Sequence, residues 1–98
     1  MDQSSYKFRL DSIRRRVDQV DRELYEVLRR RFQLTNRIGT LKKEYNSSEM
    51  CESRKNEIIN KLKDNTLKDD MSIDLIESLY KLIIDQSITE QSLIIKDK

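Results

Sequence analysis

Apolar residues recur through the first half of the chain at Leu10, Ile13, Val17, Val20, Leu24 and Val27, and again at Leu34, Ile38, Leu41 and Tyr45. Steps of three and four alternate, which is the spacing of a heptad seam on a helix. The 98 residues contain no Pro and a single Gly, Gly39, so nothing punctuates short strands. The pattern predicts one long helix from about Ser5 to about Tyr45. A Gly inside a helix costs about 1 kcal/mol relative to Ala, so Gly39 predicts close packing at that point.

Two shorter helices follow. Asn46-Ser47-Ser48 breaks the seam and offers caps, and Asn46 with Glu49 has capping-box spacing, with Asn in place of Ser or Thr. A second helix is predicted from about Glu49 to about Asp64, with Ile58, Ile59 and Leu62 facing inward. Asn65 to Met71 is polar and reads as a loop. Asp70 or Ser72 then caps a third helix from about Ile73 to about Ile94. Its stripe runs Ile73, Ile76, Leu79/Tyr80, Ile83, Ser87, Gln91, Ile94. The fold class is all-α, with three helices, one long and two shorter, in a single domain over residues 1–98. A helix of about 40 residues is about 60 Å long, whereas a compact chain of this size has a radius of gyration of about 13 Å. One chain cannot bury such a seam alone, so an intertwined helical homodimer is expected.

Composition excludes several classes. Charged residues are 39% of the chain, a load that approaches disorder. Leu, Ile, Val and Phe still make up 27 of 98 residues, above the roughly 20% below which chains tend not to fold. Net charge is +2, too small to argue for nucleic acid or an anionic membrane. No apolar run reaches a membrane span, and residues 1–16 contain no apolar core of a signal peptide. A cytoplasmic location is expected. Cys51 is the single Cys and there is no His. An internal disulfide, ordinary zinc ligation and Ser–His or Cys–His catalysis are thereby excluded, and no metal is expected. An enzyme of this composition works with Arg, Lys, Gln, Ser and carboxylates.

The informative residues are those that break the helical pattern. Arg31 occupies a slot of the apolar seam. Lys42 lies 11 residues further on, within about 20° of the same helix face and about 16 Å away. Arg54 precedes Ile58 by one turn on the inward stripe of the second helix. Ser87 and Gln91 share a face of the third at i, i+4. Buried cations need anions. No Asp or Glu on the inward faces answers Arg31, Lys42 and Arg54 together, whereas a small dicarboxylate ligand would. Each cation taken alone could instead pair with a surface Glu or snorkel to water. Arg14 is about 25 Å from Arg31 along the helix. It is either part of the exposed Arg14-Arg15-Arg16 run or, in an antiparallel dimer, a contribution to the partner's site.

These residues carry a resemblance. Leu10-Asp11-Ser12-Ile13-Arg14 leading to Val20-Asp21, then Leu28-Arg29-Arg30-Arg31, then Ile38-Gly39-Thr40-Leu41-Lys42, then Arg54, and finally the segment from Leu82 to Gln91 follow one another as in a known family. Over essentially its whole length the chain resembles the all-helical, type II chorismate mutases of the small intertwined dimeric type. The resemblance implies conversion of chorismate to prephenate without a cofactor. It implies that Arg31 and the partner's Arg14 hold the two substrate carboxylates, with Ser87 assisting at the ring carboxylate. Lys42 and Gln91 would contact the ether oxygen of the breaking C–O bond, and Arg54 would line the site. A Gln at position 91 donates its N–H at any pH, so the rate is expected to be flat between about pH 5 and 8.

The family commonly has acidic residues beside the second-helix Arg, gripping the ring hydroxyl at C4. Cys51 and Lys55 stand there instead. Glu52 or a water is one substitute for the grip, Lys55 turned to solvent is another way of tolerating the change, and a changed substrate is a third explanation. An isochorismate pyruvate lyase resembles this site and does not depend on that acid, although Ser87 looks more like the mutase pattern. A mutase for 4-amino-4-deoxychorismate ranks lower, because its ammonium should repel Lys55. A non-catalytic helical dimerisation module explains the seam but not the inward polar groups. A nucleic-acid binder is weaker still, because the six aromatics do not interleave with the basic runs.

Overall fold

The computed structural model of the protein describes residues 2–47, 52–67 and 69–97. It is all-helical: α1 spans Gln3–Glu44, α2 spans Glu52–Thr66 and α3 spans Ile73–Lys96. The long first helix and two shorter ones match the periodicity of the sequence to within a few residues at each end. None of these helices is long and apolar enough to cross a membrane.

The helix ends explain where the boundaries fall. Asn46 adopts φ 53, the left-handed conformation that Asn tolerates at a helix C-terminus. Its N–H bonds the Lys43 carbonyl at 3.2 Å, and the Ser47 N–H bonds the Lys42 carbonyl at 2.7 Å. This is a Schellman pair that closes α1. Asn46 therefore ends the first helix rather than opening the second, which corrects the capping-box expectation. Glu49 lies outside the described residues. Ser72, and not Asp70, caps α3. Its hydroxyl accepts from the Leu75 N–H at 3.2 Å, while Asp70 takes the loop's left-handed position at φ 54. Each device satisfies backbone groups that a helix end leaves orphaned.

The chain divides into two compact units, residues 1–33 and 34–98. The first unit is the N-terminal run of α1. Its seam is open to solvent: Ile13, Val17, Val20, Leu24 and Val27 are all exposed, between 51% and 60%. Short-range polar pairs support its outer faces, among them the ion pair of Arg29 with Glu26 at 3.0 Å, worth a few tenths of a kcal/mol at such spacing.

The second unit holds the last turns of α1 with α2 and α3. Lys55 pairs with Asp85 at 3.1 Å and Lys63 with Glu77 at 3.2 Å. Eight residues forward on α2 correspond to eight back on α3, so the two helices form an antiparallel hairpin. Ile59 and Ile84 are its buried apolar residues. Ile59 stands on the stripe the sequence predicts. Ile58 and Leu62 beside it are only half-buried. On α3 the buried positions are Ile84, Ser87 and Gln91. Ile84 replaces Ile83 at the centre of the face, a rotation of one residue from the predicted stripe. Side chains in an antiparallel hairpin pack where the neighbouring helix lies, which spacing within one helix cannot specify.

Candidate active site

Buried polar groups carry more information than buried apolar ones. Among the described residues three polar side chains are buried, Thr66, Ser87 and Gln91, against two aliphatic ones, Ile59 and Ile84. Thr66 satisfies itself by donating its hydroxyl to the Leu62 carbonyl at 2.6 Å. Ser87 does the same toward the Ile83 carbonyl at 2.9 Å. Such back-bonding to the preceding turn is a structural use of a hydroxyl.

Gln91 is different, because its side chain reaches another helix. The Lys42 ammonium at the end of α1 donates to Gln91 Oε1 at 3.0 Å. An ammonium has three donors and no acceptor. It therefore fixes which end of the carboxamide faces it, and the Gln91 NH2 group is directed away from Lys42. Gln91 is 6% exposed and Lys42 is half-buried. The result is a part-buried, oriented pair in which the Gln91 NH2 group remains a donor. Beside it, Leu41, Lys42, Tyr45 and Ser47 line an open cavity of about 340 Å³.

Gly39 makes this approach possible. It is the buried residue of α1, and a methyl group added to it would lie 3.2 Å from both Cα and Cγ of Gln91 and 3.3 Å from Ile94 Cδ1. The close packing predicted from a lone Gly in a helix is present, and its counterpart is Gln91 itself.

The other residues singled out by the sequence fall elsewhere. Arg31 is half-buried on α1 within the first unit. Arg14 is exposed on the same unit. Arg54 does not face inward: its side chain is 61% exposed and pairs with Glu57 at 3.1 Å on its own helix. A guanidinium whose carboxylate partner lies one turn away on the solvent side has no reason to desolvate. Glu57 accepts from Lys61 as well as Arg54, and these two cations, Lys61 foremost, hold its carboxyl below the usual range. Glu52 is exposed. Cys51 lies outside the described residues.

Lys55 is not turned to solvent. Its ammonium spans the hairpin to Asp85, with the Lys55 side chain 21% exposed. Asp85 escaped the sequence reading because its partner is 30 residues away and no local spacing announces it. Glu77 is bridged in the same way by Lys81 and Lys63, which lower its pKa.

An all-helical chain that buries a carboxamide oriented by a lysine from another helix defines a class of fold and site. The class has a family. Residues 13–92 match the family model described as chorismate mutase type II. The chain belongs to that family. The matched span contains Arg14, Arg31, Gly39, Lys42, Arg54, Ser87 and Gln91. No curated protein and no solved structure matches the chain.

Proposed function

We propose that the protein is a chorismate mutase, an isomerase of the shikimate pathway that rearranges chorismate to prephenate. The observation that carries this reading is the part-buried contact of Lys42 with Gln91, within the span that matches the family. The rearrangement is pericyclic: the ether C–O bond breaks as a C–C bond forms, with no nucleophile, cofactor or obligatory proton transfer. Two things lower its barrier. The substrate must be held folded with the enolpyruvyl carbon over the ring, and donors must meet the ether oxygen, where negative charge grows as the bond breaks. The Gln91 NH2 group and the Lys42 ammonium supply those donors.

Arg31 holds one substrate carboxylate and the partner's Arg14 the other, in a homodimer whose long helices pair through the open seam. The exposed Ile13, Val17, Val20, Leu24 and Val27 support that pairing. Five aliphatic side chains in one heptad register are the surface that a second copy of the same helix would cover. Ser87 assists at the ring carboxylate by turning its hydroxyl from the Ile83 carbonyl. Arg54 joins the site on exchanging Glu57 for the substrate. The cytoplasm is the proposed location.

Lys55 bears on substrate choice. Anchored to Asp85, it keeps a cation near the start of α2 and disfavours a substrate carrying an ammonium. The test is a paired assay of the purified protein with chorismate and with isochorismate, products identified by chromatography. Prephenate from chorismate is expected. Salicylate and pyruvate from isochorismate, with chorismate untouched, would move the protein to the isochorismate pyruvate lyases. Inertness toward both would refute the enzymatic reading in favour of a helical dimerisation module.

A further inference from the structure

We propose that Gly39 is a positioning residue: the missing side chain at this one point of α1 sets the distance at which α3 delivers Gln91 to Lys42. The inference rests on the mutase reading for its consequence and on geometry alone for its structural part.

Three observations meet at this residue. Gly39 does not have a positive φ, so backbone conformation is not what requires a glycine there. Space is what requires it. A methyl group at position 39 would stand 3.2 Å from Gln91 Cα, tighter than ordinary carbon–carbon contact at about 3.5–4.0 Å. The crowded atom belongs to backbone, which cannot rotate away as a side-chain tip can. Ile94 Cδ1, at 3.3 Å, closes a second side of the same space. Relief therefore requires α3 to retreat from α1 near Gln91. Lys42 lies three residues from Gly39, on the neighbouring turn of the same helix face. A retreat of a few tenths of an ångström at Gln91 Cα acts directly on a hydrogen bond that is 3.0 Å long. Gly39 and Lys42 thus form one device, in which the glycine admits the α3 backbone and the lysine orients the amide that arrives with it.

The glycine also has a cost that the seam does not explain. It is the single Gly of the chain, placed inside a 42-residue helix where Ala would be the better helix former. The atoms that fill the space it leaves are Cα and Cγ of Gln91, the residue whose amide Lys42 orients.

Gly39→Ala tests this. Alanine favours the helix while crowding the contact, so the variant is expected to fold, with an unchanged far-UV circular dichroism spectrum. The first readout is the Gln91 side-chain amide in a ¹⁵N–¹H spectrum, identified by its disappearance in Gln91→Ala. In the wild type its protons should be shifted and protected from exchange. In Gly39→Ala they should shift from the wild-type positions and exchange faster. Resonances that stay in place would overturn the proposal, whatever the substrate proves to be. The second readout is kinetic. The kcat of Gly39→Ala should fall about ten- to a hundredfold, the scale of a small misplacement, with KM little changed. The same substitution in a Gln91→Ala background should cost nothing further, because both act through one amide. Losses that multiply would mean Gly39 acts elsewhere, and would also overturn the proposal. A wild type without mutase activity would refute the functional reading instead, leaving the spectrum to decide the geometry. Should Gly39→Ala fail to fold, Gly39→Ser with Ile94→Val, which clears the Cδ1 contact but not the backbone one, serves the same spectral comparison and is expected to show the same released amide.

Discussion

The two units of the chain differ in what they bury. In residues 1–33 the apolar seam from Ile13 to Val27 is exposed, with Leu24 at 60% and Val20 at 58%, and polar contacts such as Arg29 with Glu26 run along the one helix. Among the described residues of 34–98 three buried side chains are polar and two, Ile59 and Ile84, are apolar, and the informative contacts run between helices: Lys42 to Gln91, Lys55 to Asp85, Lys63 to Glu77. The open seam of the first unit is the surface proposed above for a second copy. Gly39, beside the heptad seam rather than on it, is where α1 gives up side-chain volume to admit Gln91.

The largest effect should come from breaking the first region. Leu24→Glu would place a carboxylate from each copy in the proposed dimer seam, where desolvating an unpaired charge costs several kcal/mol. Light scattering should then read a monomer where the wild type reads a dimer, and mutase activity should vanish with it. An active monomer would dissolve the contrast between the units. Next comes the second region. Lys42→Ala removes one donor to the developing negative charge, and kcat should fall about 10²–10³-fold with the helical content unchanged. Retention of kcat would mean that the pair is structural.

A smaller effect is expected at the hairpin. Lys55→Ala removes an ion pair whose Asp85 end is 60% exposed, so unfolding free energy should drop by no more than about 1 kcal/mol, read from chemical denaturation. The smallest effects concern the two shifted carboxyls. Glu77 has a lowered pKa in the folded protein, chiefly through Lys81 and Lys63. Its contribution is therefore present above the unfolded value and is lost as pH falls through the folded one. Glu77→Gln should flatten the fall in thermal stability below about pH 4.5, since the ordinary carboxyl value is 4.5. Glu57 is also lowered, but it links residues of α2 alone, and Glu57→Gln should leave Tm at neutral pH indistinguishable from wild type. Equal acid sensitivity of the two variants would show that linking α2 to α3 adds nothing beyond local helix support.

The sequence by itself determined the number, order and approximate lengths of the helices, because alternating three- and four-residue steps and the lack of Pro are local properties that the backbone must obey. It also flagged Gly39, since a lone Gly inside a helix has to be explained by space, and it set Lys42 and Gln91 apart as polar residues on inward stripes. What it misjudged depends on neighbours it could not see. Asn46 reads equally well as the start of α2 or the end of α1, and the left-handed backbone at Asn46 decided for the end. Arg54 occupies an inward position by count, yet Glu57 draws it to solvent. Lys55 found Asp85 across 30 residues, and Ile84 took the central place that spacing gave to Ile83. Periodicity fixes which residues share a face of one helix. Which way that face turns, and which atom from another helix meets it at 3 Å, is settled by packing between segments far apart in the chain. The contact of Lys42 with Gln91 is of that second kind, and tertiary structure alone brought it together.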